Sequence, residues 1–146
     1  MRTVTTRSAK DTADLGESFG AMLKPGDVVA LFGELGTGKT EFVKGICAGL
    51  QISGRPTSPT FTIINEYPAR FGIVAHIDLY RIGGEAELRD LGIESYFHEG
   101  CICLIEWADR ALAILPGDHY AVKILHGDGS ERERMVTISS PGELPS

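Results

Sequence analysis

Eight consecutive residues, Gly33-Glu34-Leu35-Gly36-Thr37-Gly38-Lys39-Thr40, match the pattern G-x-x-x-x-G-K-[ST] throughout. The pattern has a mechanical meaning. Glycines at 33, 36 and 38 let the chain turn without side-chain clash, so that the successive N–H groups of the loop point inward at phosphate oxygens. A helix opening near Lys39 adds the positive end of its dipole. Lys39 then reaches the β and γ phosphates of a nucleoside triphosphate as a point charge, and the Thr40 hydroxyl ligates a magnesium ion bridging them. The competing explanation is a glycine-rich turn that carries these letters by accident, and the strand before it and the helix after it argue against that.

A phosphate loop of this kind is completed by an acidic residue at the tip of a neighbouring buried strand. Two segments end that way: Cys101-Ile102-Cys103-Leu104-Ile105 runs into Glu106, and Val74-Ala75-His76-Ile77 into Asp78. The run before Glu106 is the more uniformly apolar, which makes Glu106 the expected metal ligand. Asp78 is left to orient the attacking water, a role in which placement matters more than basicity. The two roles are exchangeable at this stage. Arg81 either offsets charge on the leaving phosphate or forms an ordinary ion pair with Asp78 or Glu85. Trp107 either flanks the nucleotide or packs in the core. Ser58, Pro59 and Thr60 follow the loop helix, where related enzymes carry a segment that closes on the γ-phosphate or a partner, or they form only a turn. Asn65 is the sole asparagine. The asparagine-lysine-x-aspartate element of guanine-specific enzymes is therefore absent, and ATP is the expected nucleotide.

These side chains must be held by elements of the right type. Val28 to Phe32 is an unbroken apolar run suited to a central strand buried on both faces. Phe42, Val43, Ile46 and Leu50 recur at helical spacing, predicting a helix from Lys39 to about Leu50. Upstream, Leu15, Phe19 and Met22 predict an amphipathic helix over 11–23, capped by Asp11 or Thr12 and closed by Pro25 and Gly26. Residues 51–60 are rich in Ser, Thr, Pro and Gly and predict a loop. Phe61–Tyr67 and Gly72–Tyr80 predict a hairpin turning at Pro68, and Glu85–Phe97 a helix. After the Cys101–Ile105 strand, Ala108–Ile114 predicts a brief helix stopped by Pro116. Two strands follow, near Tyr120–Leu125 and Arg134–Ser139. The expected fold is a single α/β domain over 1–140, with a mostly parallel sheet flanked by helices and some antiparallel strands. Residues 141–146 form a tail.

The chain has 146 residues, enough for one compact domain. A net charge of −6 with no cluster of Lys and Arg argues against a free-standing nucleic-acid binder. The start, MRTVTTRSAK, lacks the apolar core of a signal peptide, and no apolar run approaches the roughly 20 residues needed to span a bilayer, so a cytosolic protein is expected. Cys47, Cys101 and Cys103 cannot all pair with one another, which predicts reduced thiols and no disulfide. Cys101 and Cys103 would share one strand face as small hydrophobes. A metal site built from them and His98 lacks a fourth ligand at ordinary spacing.

Taken together, these residues resemble the bacterial ATPases called TsaE, or YjeE. The resemblance rests on the phosphate loop, then Ser58-Pro59-Thr60-Phe61, His76-Ile77-Asp78-Leu79-Tyr80-Arg81, Leu104-Ile105-Glu106-Trp107 and Ile114-Leu115-Pro116, in that order. It spans nearly the whole chain. It implies ATP and magnesium as ligands, Thr40 and Glu106 as metal ligands, and Asp78 as a residue needed for hydrolysis. It also implies that the start of the first helix, at Thr12 or Asp11, approaches the adenine. The family serves in making threonylcarbamoyl-adenosine in transfer RNA and acts with TsaB and TsaD, meeting tRNA only within that complex. Two other functions fit a phosphate loop. A small-molecule kinase would need an arginine-bearing lid and an acceptor site, for which 146 residues leave little room. A nucleotide-switched binding module would not depend on Asp78 for phosphate release.

Overall fold

The computed structural model describes residues 1–33, 38–52 and 63–142. Seven strands form one sheet: β1 (Arg2–Thr6), β2 (Val28–Phe32), β3 (Ile64–Ala69), β4 (Gly72–Asp78), β5 (Cys101–Glu106), β6 (Tyr120–His126) and β7 (Arg134–Ser139). Their spatial order is β1-β7-β6-β2-β5-β4-β3. The parallel part is four contiguous strands, β4, β5, β2 and β6. Antiparallel pairings add β3 at one side and β7 with β1 at the other, so the sheet is mixed. Among the described residues three α-helices accompany it: α1 (Ala9–Ala21), α2 (Lys39–Gly49) and the short α3 (Glu85–Asp90).

The apolar runs become the middle of the sheet because only there are both faces covered. On one face Val29, Leu31, Ile102, Leu104, Val122 and Ile124 pack with Phe19 of α1 and Phe42, Val43 and Ile46 of α2. On the other, Val28, Ala30, Cys101, Cys103 and Ile105 pack with Ile77, Leu79, Leu88 and Ile93. All three cysteines are buried free thiols, with Cys101 and Cys103 sharing one face as their spacing predicts.

α1 and α2 approach backbone to backbone. A Cβ on Gly45 would lie 2.0 Å from the Ala13 carbonyl oxygen, and one on Gly16 would lie 2.4 Å from that of Phe42. Neither obstacle is a side chain that can swing away, so Gly45→Ala must push the helices apart. Overpacking of this severity costs about 3 kcal/mol, and a fall in Tm of roughly ten degrees follows for a domain of this size. Calorimetry on the variant checks the expectation.

Several sequence expectations are corrected. β1 is an additional strand, paired only with β7. The first helix begins two residues earlier than its periodicity suggests, because Ser8 rather than Asp11 or Thr12 caps it, its side chain accepting the Asp11 N–H at 3.0 Å. The hairpin turns at 70–71. Pro68 lies inside β3 opposite Ile73, which the edge position permits because a missing N–H there breaks no ladder bond. The helix expected over Glu85–Phe97 stops at Asp90 and resumes as a single 3-10 turn, Ile93–Tyr96, because Gly92 adopts a left-handed φ of 64°. The helix after β5 is likewise one 3-10 turn, Ala108–Ala111.

Candidate functional site

The four parallel strands end along one edge of the sheet, and that edge carries the site. β2 ends at Phe32 and leads into Gly33, and α2 starts at Lys39 behind Gly38, whose φ of 97° makes the turn into the helix. No side chain caps α2 among the described residues. Its first turn instead faces a cavity of about 490 Å³, lined by Gly38, Lys39, Thr40 and Glu41 on this side. Glu34, Leu35, Gly36 and Thr37 lie outside the described residues, as do Ser58 and Thr60.

Lys39 is only 5% exposed. Its Nζ donates to the Gly33 carbonyl at 2.6 Å and sits 3.8 Å above the Trp107 ring. Burial lowers the Lys39 pKa from its ordinary value, while the charges of Glu106, Asp78 and Asp109 oppose the shift. Trp107 is half-buried and lines the cavity. Its backbone adopts a left-handed φ of 58°, uncommon for a bulky residue, which directs the ring over the lysine. Tyr80 packs against that ring at 5.1 Å, and Arg110 lies 5.6 Å from it while its Nη1 donates to the Tyr80 and Ile82 carbonyls.

The two acids arrive by register. β4 and β5 are parallel with Asp78 opposite Glu106, so both carboxylates reach the cavity from adjacent strand ends. Glu106 is buried and its Oε2 lies 2.5 Å from His76 Nε2. Asp78 is half-buried and its Oδ1 accepts the Tyr80 N–H at 3.0 Å. Burial raises the Asp78 pKa, with the Glu106 charge adding to the shift and the Tyr80 N–H, His76 and Lys39 opposing it.

A raised carboxyl pKa means that the folded state holds its proton more tightly than the unfolded chain does. Stability is therefore lost as pH rises from the ordinary carboxylate range through the raised value. Asp78→Asn keeps the acceptor for Tyr80 and removes the buried charge. It is expected to raise Tm at pH 8 and to give a shrinking advantage as pH falls towards 4, checked by thermal melts across that range.

At the other end of the cleft the walls are Ser8, Ala9, Thr12, Arg132 and Arg134. Thr12 is buried, with its hydroxyl 2.7 Å from that of Thr6 and 3.2 Å from the Ser8 carbonyl it donates to. Asp11 is exposed, accepts the Arg7 N–H and does not line the cavity. Arg81 is exposed and also lies outside the lining. Neither ion pair expected of it forms among the described residues, and Glu85 pairs with Arg89 instead. The contacts of His76, Tyr80 and Arg110 carried no pattern of their own in the sequence. For His76, the signal was its place two residues before Asp78, which puts both side chains on one strand face.

The donor set has a consistent chemistry. Thr40, Asp78 and Glu106 present oxygen ligands of the hard type that magnesium takes, while Lys39 and the uncapped start of α2 suit phosphate. These residues fit both groups. Among the described residues no helix is long and apolar enough to cross a membrane.

The family model described as threonylcarbamoyl adenosine biosynthesis protein TsaE matches residues 6–136. A tRNA threonylcarbamoyladenosine biosynthesis protein TsaE of Bacillus subtilis is 42% identical over 141 residues, covering 97% of this chain and 85% of the relative. Its counterpart from Treponema pallidum is 39% identical over 139 residues, covering 95% of this chain and 100% of the relative. The crystal structure of Bacillus subtilis YdiB superposes with a TM-score of 0.79 at 34% identity, covering 97% of this chain and 86% of that one. The α/β domain is thus a P-loop NTPase fold, and the chain belongs to the TsaE family.

Proposed function

We propose that this chain binds ATP with magnesium and hydrolyses it as the nucleotide-driven member of a complex with TsaB and TsaD, in the threonylcarbamoyl-adenosine modification of tRNA. The observation that carries the reading is the meeting, in one cavity, of a buried lysine at the start of α2 with two carboxylates from adjacent strand ends. Family membership supports the pathway. The net charge of −6 fits a role that reaches tRNA through protein partners.

Each side chain then has a task. Lys39 leaves its hold on the Gly33 carbonyl and the Trp107 face to neutralise the β and γ phosphates. Thr40 and Glu106 would hold magnesium, which would supply charge neutralisation at the phosphates. Asp78 orients the attacking water. Its second oxygen is available for this because the Tyr80 N–H is held by Oδ1. Trp107 is a wall of the cavity beside Lys39 and excludes water from that side of the site. Ser8, Thr12, Arg132 and Arg134 are left to meet the ribose and base at the far end of the cleft.

Phosphate release from ATP and magnesium tests this, measured for the protein alone and with purified TsaB and TsaD. Stimulation by the pair, with none in Asp78→Ala, is the expected result. Release that stays the same in every mixture favours a nucleotide switch or a kinase lacking its acceptor.

A further inference from the structure

We infer that His76 is a positioning residue for magnesium binding, acting through Glu106, an inference that rests on the metal role proposed for Glu106. His76 is 2% exposed and stands on the same face of β4 as Asp78. Its Nε2 lies 2.5 Å from Glu106 Oε2, while its Nδ1 has no hydrogen-bond partner among the described residues. An ionised carboxylate only accepts hydrogen bonds, so Nε2 is the donor. A polar ring buried with one nitrogen unpartnered costs stability that an aliphatic residue would not, and the neighbouring β4 positions Val74, Ala75 and Ile77 are aliphatic. Besides its effect on the Asp78 charge, what this imidazole supplies that those residues cannot is the hydrogen bond to Glu106.

That bond fixes which oxygen of Glu106 is free. With Oε2 bonded to His76, the orientation of the carboxylate is held, and Oε1 is the oxygen left without that bond. Partners that orient a metal-binding carboxylate in this way typically change metal affinity by about 10- to 100-fold when removed. Without His76, Glu106 is free to swing towards the Lys39 ammonium, on which its charge already acts.

The test separates the reach of the side chain from its polarity. In His76→Gln the amide nitrogen ends near the position of Nε2 and keeps a donor for Glu106. In His76→Asn it ends near Nδ1 and falls short. A fluorescent ATP analogue is titrated first in EDTA and then against increasing magnesium, with Glu106→Gln as the reference. Binding of the analogue in EDTA reports an intact fold in each variant and sets the baseline from which its magnesium response is read. The magnesium needed for half-saturation is then expected to rise about tenfold in His76→Asn and Glu106→Gln and to stay near the parent value in His76→Gln. A shift in Glu106→Gln with none in His76→Asn, or an equal shift in His76→Asn and His76→Gln, overturns the role of His76 and leaves the metal assignment standing. No shift in Glu106→Gln overturns both.

Discussion

Lys39→Ala is expected to lose tight ATP binding, with Kd rising by a factor of about 100 or more. Among the described residues, Lys39 is the cationic side chain that lines the cavity beside Gly38 and Thr40, and the two phosphate contacts proposed for it would be charge-assisted hydrogen bonds of roughly 1.5–3 kcal/mol each. Losing both amounts to at least ~3 kcal/mol, or two decades in affinity. The same ammonium donates to the Gly33 carbonyl and lies over the Trp107 ring. Burial also lowers its pKa, a sign that the free protein holds the charge at a cost. The variant should therefore fold about as well as the parent, and the effect should fall on binding. Calorimetric titration with ATP and magnesium reads it directly. Affinity within about threefold of the parent would remove Lys39 from the phosphate site.

Asp78→Ala is expected to show the opposite split, with ATP affinity kept and turnover reduced by about 10²- to 10⁴-fold, the range for losing a group that handles the nucleophile. Asp78 is well placed for this because it reaches the cavity beside Glu106 without sharing the His76 bond. Single-turnover phosphate release, paired with a binding titration, separates the two quantities. Lost binding in this variant would mean that Asp78 holds the metal or the phosphates. Its role and that of Glu106 would then have to be exchanged.

The phosphate loop's frame and both acids were legible in the sequence because each follows a run of residues that has only one comfortable environment. Val28–Phe32 and Cys101–Ile105 are apolar on both strand faces, so they had to lie in the middle of a sheet, and a polar residue directly after such a run had to emerge at its edge. β1 escaped notice for the reverse reason. Arg2–Thr6 contains one aliphatic residue, Val4, and the strand exists because β7 offers it hydrogen bonds, a fact of distant pairing that local pattern does not encode. The misplaced hairpin turn has a related cause, since Pro68 marks a turn only where its missing N–H matters, and on an edge strand it does not.

Within the site, residue types were readable and partnerships were not. Nothing in the order of residues ties His76 to Glu106, Lys39 to Trp107 or Arg110 to the Tyr80 carbonyl. Each contact depends on strand register or on the unusual backbone at Trp107. Arg81 shows how sequence proximity differs from placement in the cavity, and its exposure leaves the partner contact also expected of it untouched. Three residues after Asp78 it looks close to the chemistry, yet the chain has already left the sheet edge and the side chain faces solvent.

The position of β2 in the sheet also bears on how the protein is made. Val28 pairs with Cys103 and Val29 with Tyr120, so the strand that presents the phosphate loop finds neither neighbour until most of the chain has been synthesised. While the ribosome is still at work, Val28–Phe32 is an unpaired apolar strand, the kind of segment that chaperones hold and that aggregates when left alone. ATP cannot act as an early folding aid to the nascent chain, because Asp78, Glu106 and Arg134 have yet to be assembled around the site. The nucleotide site proposed for this chain would be complete only with the closing strands, and a nascent chain halted before β6 would carry the loop sequence without the finished site.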